Sequence, residues 1–83
     1  MARRQRDADK LARARRLAAS GEGRAIREAH DLSLRELAAE IPGRRGKTVT
    51  PSSVMKWERG LSRPGRVAAL RYLEVLEGLG EQL

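Results

Sequence analysis

The sequence predicts a small all-α fold, a compact bundle of about five helices, and three observations favour this class. Segments with apolar residues at helical spacing are separated by breaks that contain glycine or proline. No stretch alternates apolar with polar residues for more than a few positions, and β-branched residues, which favour strands, are scarce. A chain of 83 residues is long enough for one thin core, so we expect one small domain.

The first predicted helix spans residues 1–20 and forms a basic extension of the main domain at 21–83. Alanine, arginine and leucine dominate this segment, and all three are good helix formers. Its apolar stripe of Leu11, Ala14 and Ala18 is narrow, so the helix has a weak apolar face. Glycines that follow position 20 are expected to end it.

Two further helices are predicted over residues 22–30 and 33–41. Ser33 is a suitable N-cap for the second of them, and Glu36 three residues later completes a capping box. The segment 42–49 holds two glycines, one proline and three bases, so we expect an exposed basic loop there.

The next predicted helix covers residues 51–59. Thr50 is placed to cap it, and Pro51 suits the first helical position because its missing amide proton is not needed there. Gly60 is expected to end it in a left-handed conformation. A last helix is predicted over 65–79, with apolar residues at roughly helical spacing at Val67, Leu70, Leu73, Leu76 and Leu79.

The charge is distributed in four blocks. The formal net charge is +7, and residues 1–20 carry seven bases and two acids, for a balance of +5. Residues 43–66 carry seven bases and one acid, for +6, whereas 21–42 and 67–83 each carry −2. A concentrated basic block attracts phosphate groups irrespective of their sequence, although solubility alone would also account for such a block.

Composition excludes several classes of function. The chain has no cysteine and one histidine, His30, so disulfides, a thiolate zinc site and a cysteine nucleophile are excluded and no metal site is expected. Trp57 and Tyr72 are too few for stacking on single-stranded nucleic acid. Because catalytic groupings and long apolar runs are also lacking, we expect no enzyme, no cofactor, no small-molecule substrate, no membrane partner and a cytoplasmic, nucleoid-associated location.

The helix at 51–59 has two chemically different sides. A helical wheel places Val54, Trp57, Glu58 and Leu61 on one side. The opposite side carries Ser52, Lys56 and Arg59. Small hydroxyls and long cations suit a helix that lies in a DNA major groove, yet an ordinary amphipathic surface helix shows the same division.

Three motifs in order favour the DNA-binding interpretation of this helix. They are Leu32-Ser33-x-x-Glu36-Leu37-Ala38, then Thr50-x-x-Ser53-Val54-x-x-Trp57-Glu58-Arg59-Gly60, then Arg63-Pro64. From about residue 23 to 79 the chain resembles the phage-repressor (Cro/XRE, lambda-repressor-like) class of helix-turn-helix domains. This resemblance implies a sequence-specific regulator of transcription that binds double-stranded DNA, such as a phage or mobile-element repressor, with 51–59 as its recognition helix.

The resemblance also implies roles for individual residues. Pro51, Ser52 and Lys56 correspond to positions that face base edges in the family, and Thr50 corresponds to a phosphate contact. Proline can offer only apolar contact, whereas Lys56 can reach guanine O6 and N7. The family further pairs an arginine of its first helix with the acid of the recognition helix, and the matching residues here are Arg27 and Glu58.

Two departures from the family pattern bear on phosphate contacts. The turn before the recognition helix is longer than usual, so the helix angle can differ, and its bases suit the DNA backbone unless the loop is merely a disordered solubilising segment. Leu34 replaces a polar residue that binds phosphate in many relatives, which transfers this contact to Arg35 or removes it. The complete set of expected phosphate contacts is Thr50, Arg35, Arg44, Arg45, Lys47, Arg59, Arg63 and Arg66.

Other features leave alternatives open. The cations of the N-terminal helix can follow the DNA backbone or enter a minor groove, or they can be simply solvated. They are Arg3, Arg4, Arg6, Lys10, Arg13, Arg15 and Arg16. The C-terminal leucines can support a homodimer or close the monomer core; they are Leu70, Leu73, Leu76, Leu79 and Leu83. Since fold does not determine function, the alternative is a protein-interaction module such as an antitoxin or adaptor.

Overall fold

A computed structural model describes residues 6–81, and its described part confirms the all-α class. Arg3, Arg4 and Leu83, three residues of the sequence predictions, lie outside this range. A short 3-10 turn at Arg44–Gly46 interrupts the loop between the third and fourth helices. The five α-helices of the described residues are α1 (Asp7–Ala19), α2 (Glu22–Ala29), α3 (Leu34–Ala39), α4 (Pro51–Glu58) and α5 (Arg66–Glu81).

The helix ends follow the expected capping chemistry. The Ser33 hydroxyl accepts a hydrogen bond from the Glu36 amide at 3.0 Å, and the Glu36 carboxylate accepts one from the Ser33 amide at 3.0 Å, which completes the capping box. The Thr50 hydroxyl accepts from the Ser53 amide at 3.1 Å. Gly60 follows α4 with φ of +71°, a conformation that favours glycine.

The main core forms where α3 and α4 pack together under α5. Trp57 and Tyr72 meet edge to face, with ring centroids 6.0 Å apart and ring planes at 89°. The small side chain of Ala38 is buried in the same cluster, as the close packing of α3 on α4 requires. The buried members of the cluster are Ala18, Leu37, Ala38, Ile41, Val54, Trp57, Tyr72 and Leu76.

The basic helix α1 shares a core with the rest of the molecule. Its Ala14 packs with Ala69 and Leu73 of α5, and partly buried Leu11 and Leu17 cover this cluster. Alanines on both helices allow a close approach of their backbones. The narrow apolar face of α1 is therefore the surface that packs on α5.

Two residues that the sequence places on apolar helix faces are exposed in the structure. Leu61 is 70% exposed, since α4 ends at Glu58 and the left-handed turn at Gly60 removes Leu61 from the helical wheel. Val67 is 66% exposed because it lies in the first turn of α5, before that helix reaches the core. Leu73 and Leu76 are buried inside the monomer, so these two leucines cannot mediate a dimer.

Candidate nucleic-acid interface

Helix α4 presents one side to the core and the other to solvent. Val54 is fully buried, and Trp57 is 6% exposed. Ser52, Lys56 and Arg59 are exposed on the opposite side. The predicted division of the helix is thus confirmed for all these residues, and the polar side is free of other parts of the described chain.

The predicted ion pair between α2 and α4 is confirmed. Arg27 donates from Nε to Glu58 Oε2 at 2.8 Å and from Nη2 to Glu58 Oε1 at 3.0 Å, and each residue is 8% exposed. Its remaining Nη1 donates to the Leu32 carbonyl at 2.9 Å. This bidentate arrangement, chiefly its hydrogen bonds to the carboxylate, raises the pKa of Arg27. The pair therefore joins α4 to α2 and to the segment that leads into α3.

Because this ion pair is buried, Glu58 does not balance the positive charges on the surface around α4. Glu58 is the only acid among residues 43–66, and its carboxylate faces inward toward Arg27. Within residues 6–81, no ion pair involves Lys56, Arg59 or Arg63. The exposed side of α4 and the segment after it therefore carry unneutralised positive charge.

The basic loop before α4 is a closed turn. Gly43 donates its amide proton to the Lys47 carbonyl at 2.6 Å, and Val49 donates to the Ile41 carbonyl at 3.0 Å. Pro42 and Thr48 form an isolated antiparallel bridge that brings the two ends of the loop together. The additional residues thus form a small projection, and α3 and α4 still share one core.

All three bases of this loop are exposed at its tip. Arg45 adopts a left-handed conformation with φ of 55°, so the backbone reverses direction within the stretch that contains the three bases. Arg44 and Lys47 line one side of a groove between the loop and the start of α5. Val67 and Arg66 line the other side, and no acid of the described part of the chain lines this groove.

The remaining predicted phosphate contacts differ in their surroundings. Arg35 is exposed on α3, and Arg59 and Arg63 are exposed at and beyond the end of α4. Arg66 pairs with Asp7 of α1, with 3.2 Å between Nη2 and Oδ2. The hydroxyl of Thr50 already caps α4, so a phosphate contact there would have to share that oxygen. Pro51 is exposed at the first position of the helix.

Sequence reasoning missed a close fit between α2 and α5. Gly23 lies so near Tyr72 that a β-carbon at position 23 would clash with the Tyr72 hydroxyl and lie 3.2 Å from the Leu17 carbonyl. That hydroxyl is buried with no hydrogen-bond partner in the described part of the chain, and burial raises the pKa of Tyr72. Residues 23 and 72 are remote in sequence, so no local pattern indicates this contact.

Comparisons with models of protein families, with curated proteins and with solved structures find no match to this chain. In residues 6–81, no group of three or more histidine, cysteine or acidic side chains is close enough together to hold a metal ion. None of the described helices combines the length and the apolar character needed to cross a bilayer.

Proposed function

We propose that this protein is a sequence-specific regulator of transcription that binds double-stranded DNA with α4 in the major groove. The observation that carries the proposal is the exposed polar edge of Ser52 and Lys56 on a helix whose Trp57 is buried. A helix anchored in this way presents short and long polar side chains at a constant orientation. Such an edge suits base recognition because each base pair displays a distinct pattern in the major groove.

The dimensions of α4 support this placement. An α-helix with its side chains is about 10–12 Å across, which fits the width of about 12 Å of the major groove in B-DNA, and the eight residues of α4 supply about two turns. Pro51 at the first position offers only apolar contact, for example to a thymine methyl group. Ser52 lies one residue later and offers a hydroxyl, and Lys56, one turn on, can reach guanine O6 and N7.

The surrounding bases support a role in phosphate binding. Phosphate contacts hold a protein in register on the duplex but carry little sequence information. The closed turn before α4 projects three cations, and further cations follow α4. In this proposal the phosphate-binding residues are Thr50, Arg35, Arg44, Arg45, Lys47, Arg59, Arg63 and Arg66.

Selection of binding sites from a random duplex library tests the proposal directly. We expect enrichment of a short sequence and an affinity for it that falls steeply as salt rises, with a slope of about −0.9 per neutralised phosphate. Absence of any enriched sequence, or equal binding to RNA, would contradict sequence-specific DNA binding.

Two lysine variants separate base recognition from phosphate binding. Lys56→Ala should lower affinity for the selected site by about 1–3 kcal/mol and relax the base preference at one position, because a base-edge contact is lost. The matched control Lys47→Ala should weaken binding to all duplexes alike. Unchanged affinity and preference in Lys56→Ala would show that the base-reading face has been assigned to the wrong residues.

A protein-interaction module such as an antitoxin or adaptor is the second candidate. Leu61 and Val67 favour it, because both are large apolar residues that are mostly exposed on the segment after α4. Replacing both with serine should leave the base preference unchanged if DNA is the partner, because neither residue lies on the exposed side of α4 that carries Ser52 and Lys56. A bound protein that is lost with this double variant would favour the alternative.

A homodimer through α5 is part of the leading proposal, since two copies would bind half-sites about one helical turn apart. Leu70 and Leu79 are only partly buried and remain available for it. Equilibrium sedimentation of the wild type and of Leu70→Ser measures this association. We further propose that the protein acts in the cytoplasm, on the nucleoid.

A further inference from the structure

A second basic groove lies at the C-terminal end of α4. It is formed where the end of α1 meets the segment that joins α4 to α5. Its cationic lining residues are Arg15, Arg16 and Arg63, and Trp57 and Leu61 supply apolar surface. No acid lines it. Two of the three cations therefore come from α1, which lies outside the part of the chain that resembles the repressor class.

Arg15 joins α1 to the segment that carries Arg63. Its Nε donates a hydrogen bond to the carbonyl of Pro64 at 3.2 Å, and Pro64 itself is buried. Arg63 immediately precedes this anchor point. This hydrogen bond holds the end of α1 beside Arg63, and it thereby fixes the position of Arg16 relative to α4.

The cations of α1 differ in what surrounds them. Arg13 forms an ion pair with Glu77 of α5. Lys10 lines a separate groove together with Asp7, Glu74 and Glu77. Arg16 is exposed and takes part in no ion pair within residues 6–81, although Glu22 and Glu77 line the groove on its other side. Lys10 also forms no ion pair within residues 6–81, but of these three cations only Arg16 lines the groove next to α4, so its charge is available to a ligand there.

We propose that Arg16 and Arg63 together bind a backbone phosphate of duplex DNA at the C-terminal end of the recognition helix. This inference rests on the proposed function and extends the interface to α1. The closed turn at residues 42–49 supplies cations at the N-terminal end of α4, and Arg16 and Arg63 supply them at the other end. The helix is thus bracketed by phosphate-binding groups at both of its ends.

The experiment measures affinity against salt concentration for the full chain on its selected duplex. Arg16→Ala should lower affinity roughly three- to tenfold on all sequences and make the salt slope shallower by about 0.9, the loss of one phosphate contact. Arg16→Lys should restore most of the slope because it keeps the charge. Lys10→Ala, on the same helix but beside acids, is the matched control and should leave the slope unchanged.

The outcomes separate this inference from the proposed function. If Arg16→Ala and Lys10→Ala change the slope equally, or if Arg16→Ala changes nothing while Lys56→Ala abolishes base preference, the role of Arg16 is refuted and DNA recognition by α4 stands. If the wild type binds no duplex, both proposals are refuted. A thermal melt monitored by circular dichroism should be the same for Arg16→Ala and wild type, since the side chain is exposed.

Discussion

Two surfaces of this molecule carry many bases but differ in how those bases are neutralised. On the outer face of α1 and α5, Arg13 pairs with Glu77, and Arg71 pairs with Glu74 at 2.8 Å. Around α4, Lys56 and Arg63 form no ion pair within the described range 6–81. The acid of α4 is turned inward to Arg27. The number of bases therefore does not distinguish the two surfaces, whereas the position of the acids does.

This difference has a physical consequence for binding. An ion pair on the surface screens the field that would attract a phosphate, and a ligand must displace the acid before it can use the base. An unpaired cation releases only counterions on binding. Net charge by itself is therefore a poor guide to the binding face, and the pairing of each base is the better one.

The largest expected effect is a loss of stability when Arg27 is replaced. The difference between the two basic surfaces depends on the burial of Glu58, and Arg27 is its partner. Arg27→Ala should lower the free energy of unfolding by about 3–5 kcal/mol, since it leaves a buried carboxylate without its partner. Urea denaturation measures this change. Arg24→Ala, which removes the exposed pair with Glu28, should cost no more than about 0.5 kcal/mol. A similarly small change in both variants would mean that Glu58 is solvated.

An intermediate effect, on the salt dependence of DNA binding, is expected when two arginines that differ in ion pairing are replaced. Arg44→Ala removes an exposed base of the closed turn and should make the salt slope of DNA binding shallower by about 0.9. Arg13→Ala removes a base that is already paired with Glu77, so the slope should stay the same. Titrations of a fluorescent duplex at several salt concentrations provide the comparison. Equal changes would show that total charge, not pairing, governs affinity.

The smallest effect concerns Glu36, an exposed acid of α3. Hydrogen bonds from the amide and the hydroxyl of Ser33 lower the pKa of Glu36 below its ordinary 4.5. A carboxylate with a lowered pKa in the folded state stabilises the fold fully above that ordinary value, and this contribution is lost as pH falls through the folded-state value. Relative to Glu36→Gln, the wild type should therefore lose stability below about pH 4.5 in urea titrations. Parallel curves for the two proteins would contradict the lowered pKa of Glu36.

Much of the fold could be predicted from the sequence because its signals are local. Ser33 and Thr50 act within three residues of themselves, and Gly60 marks a helix end through its own backbone freedom. The two sides of α4 follow from a period of 3.6 residues. The pairing of Arg27 with Glu58 joins residues far apart in the chain, and it was expected only through the resemblance to the repressor class.

Other features depend on how the helices pack. Leu61 and Val67 have the same apolar character as the core leucines, and only the end of α4 and the start of α5 leave them exposed. The contact of Gly23 with Tyr72 and the bond from Arg15 to Pro64 join positions about fifty residues apart. Capping and helical periodicity act within one or two turns, so they can be predicted directly from the sequence. The tertiary structure alone decides which helices face each other, and hence which bases form an ion pair with a neighbouring acid.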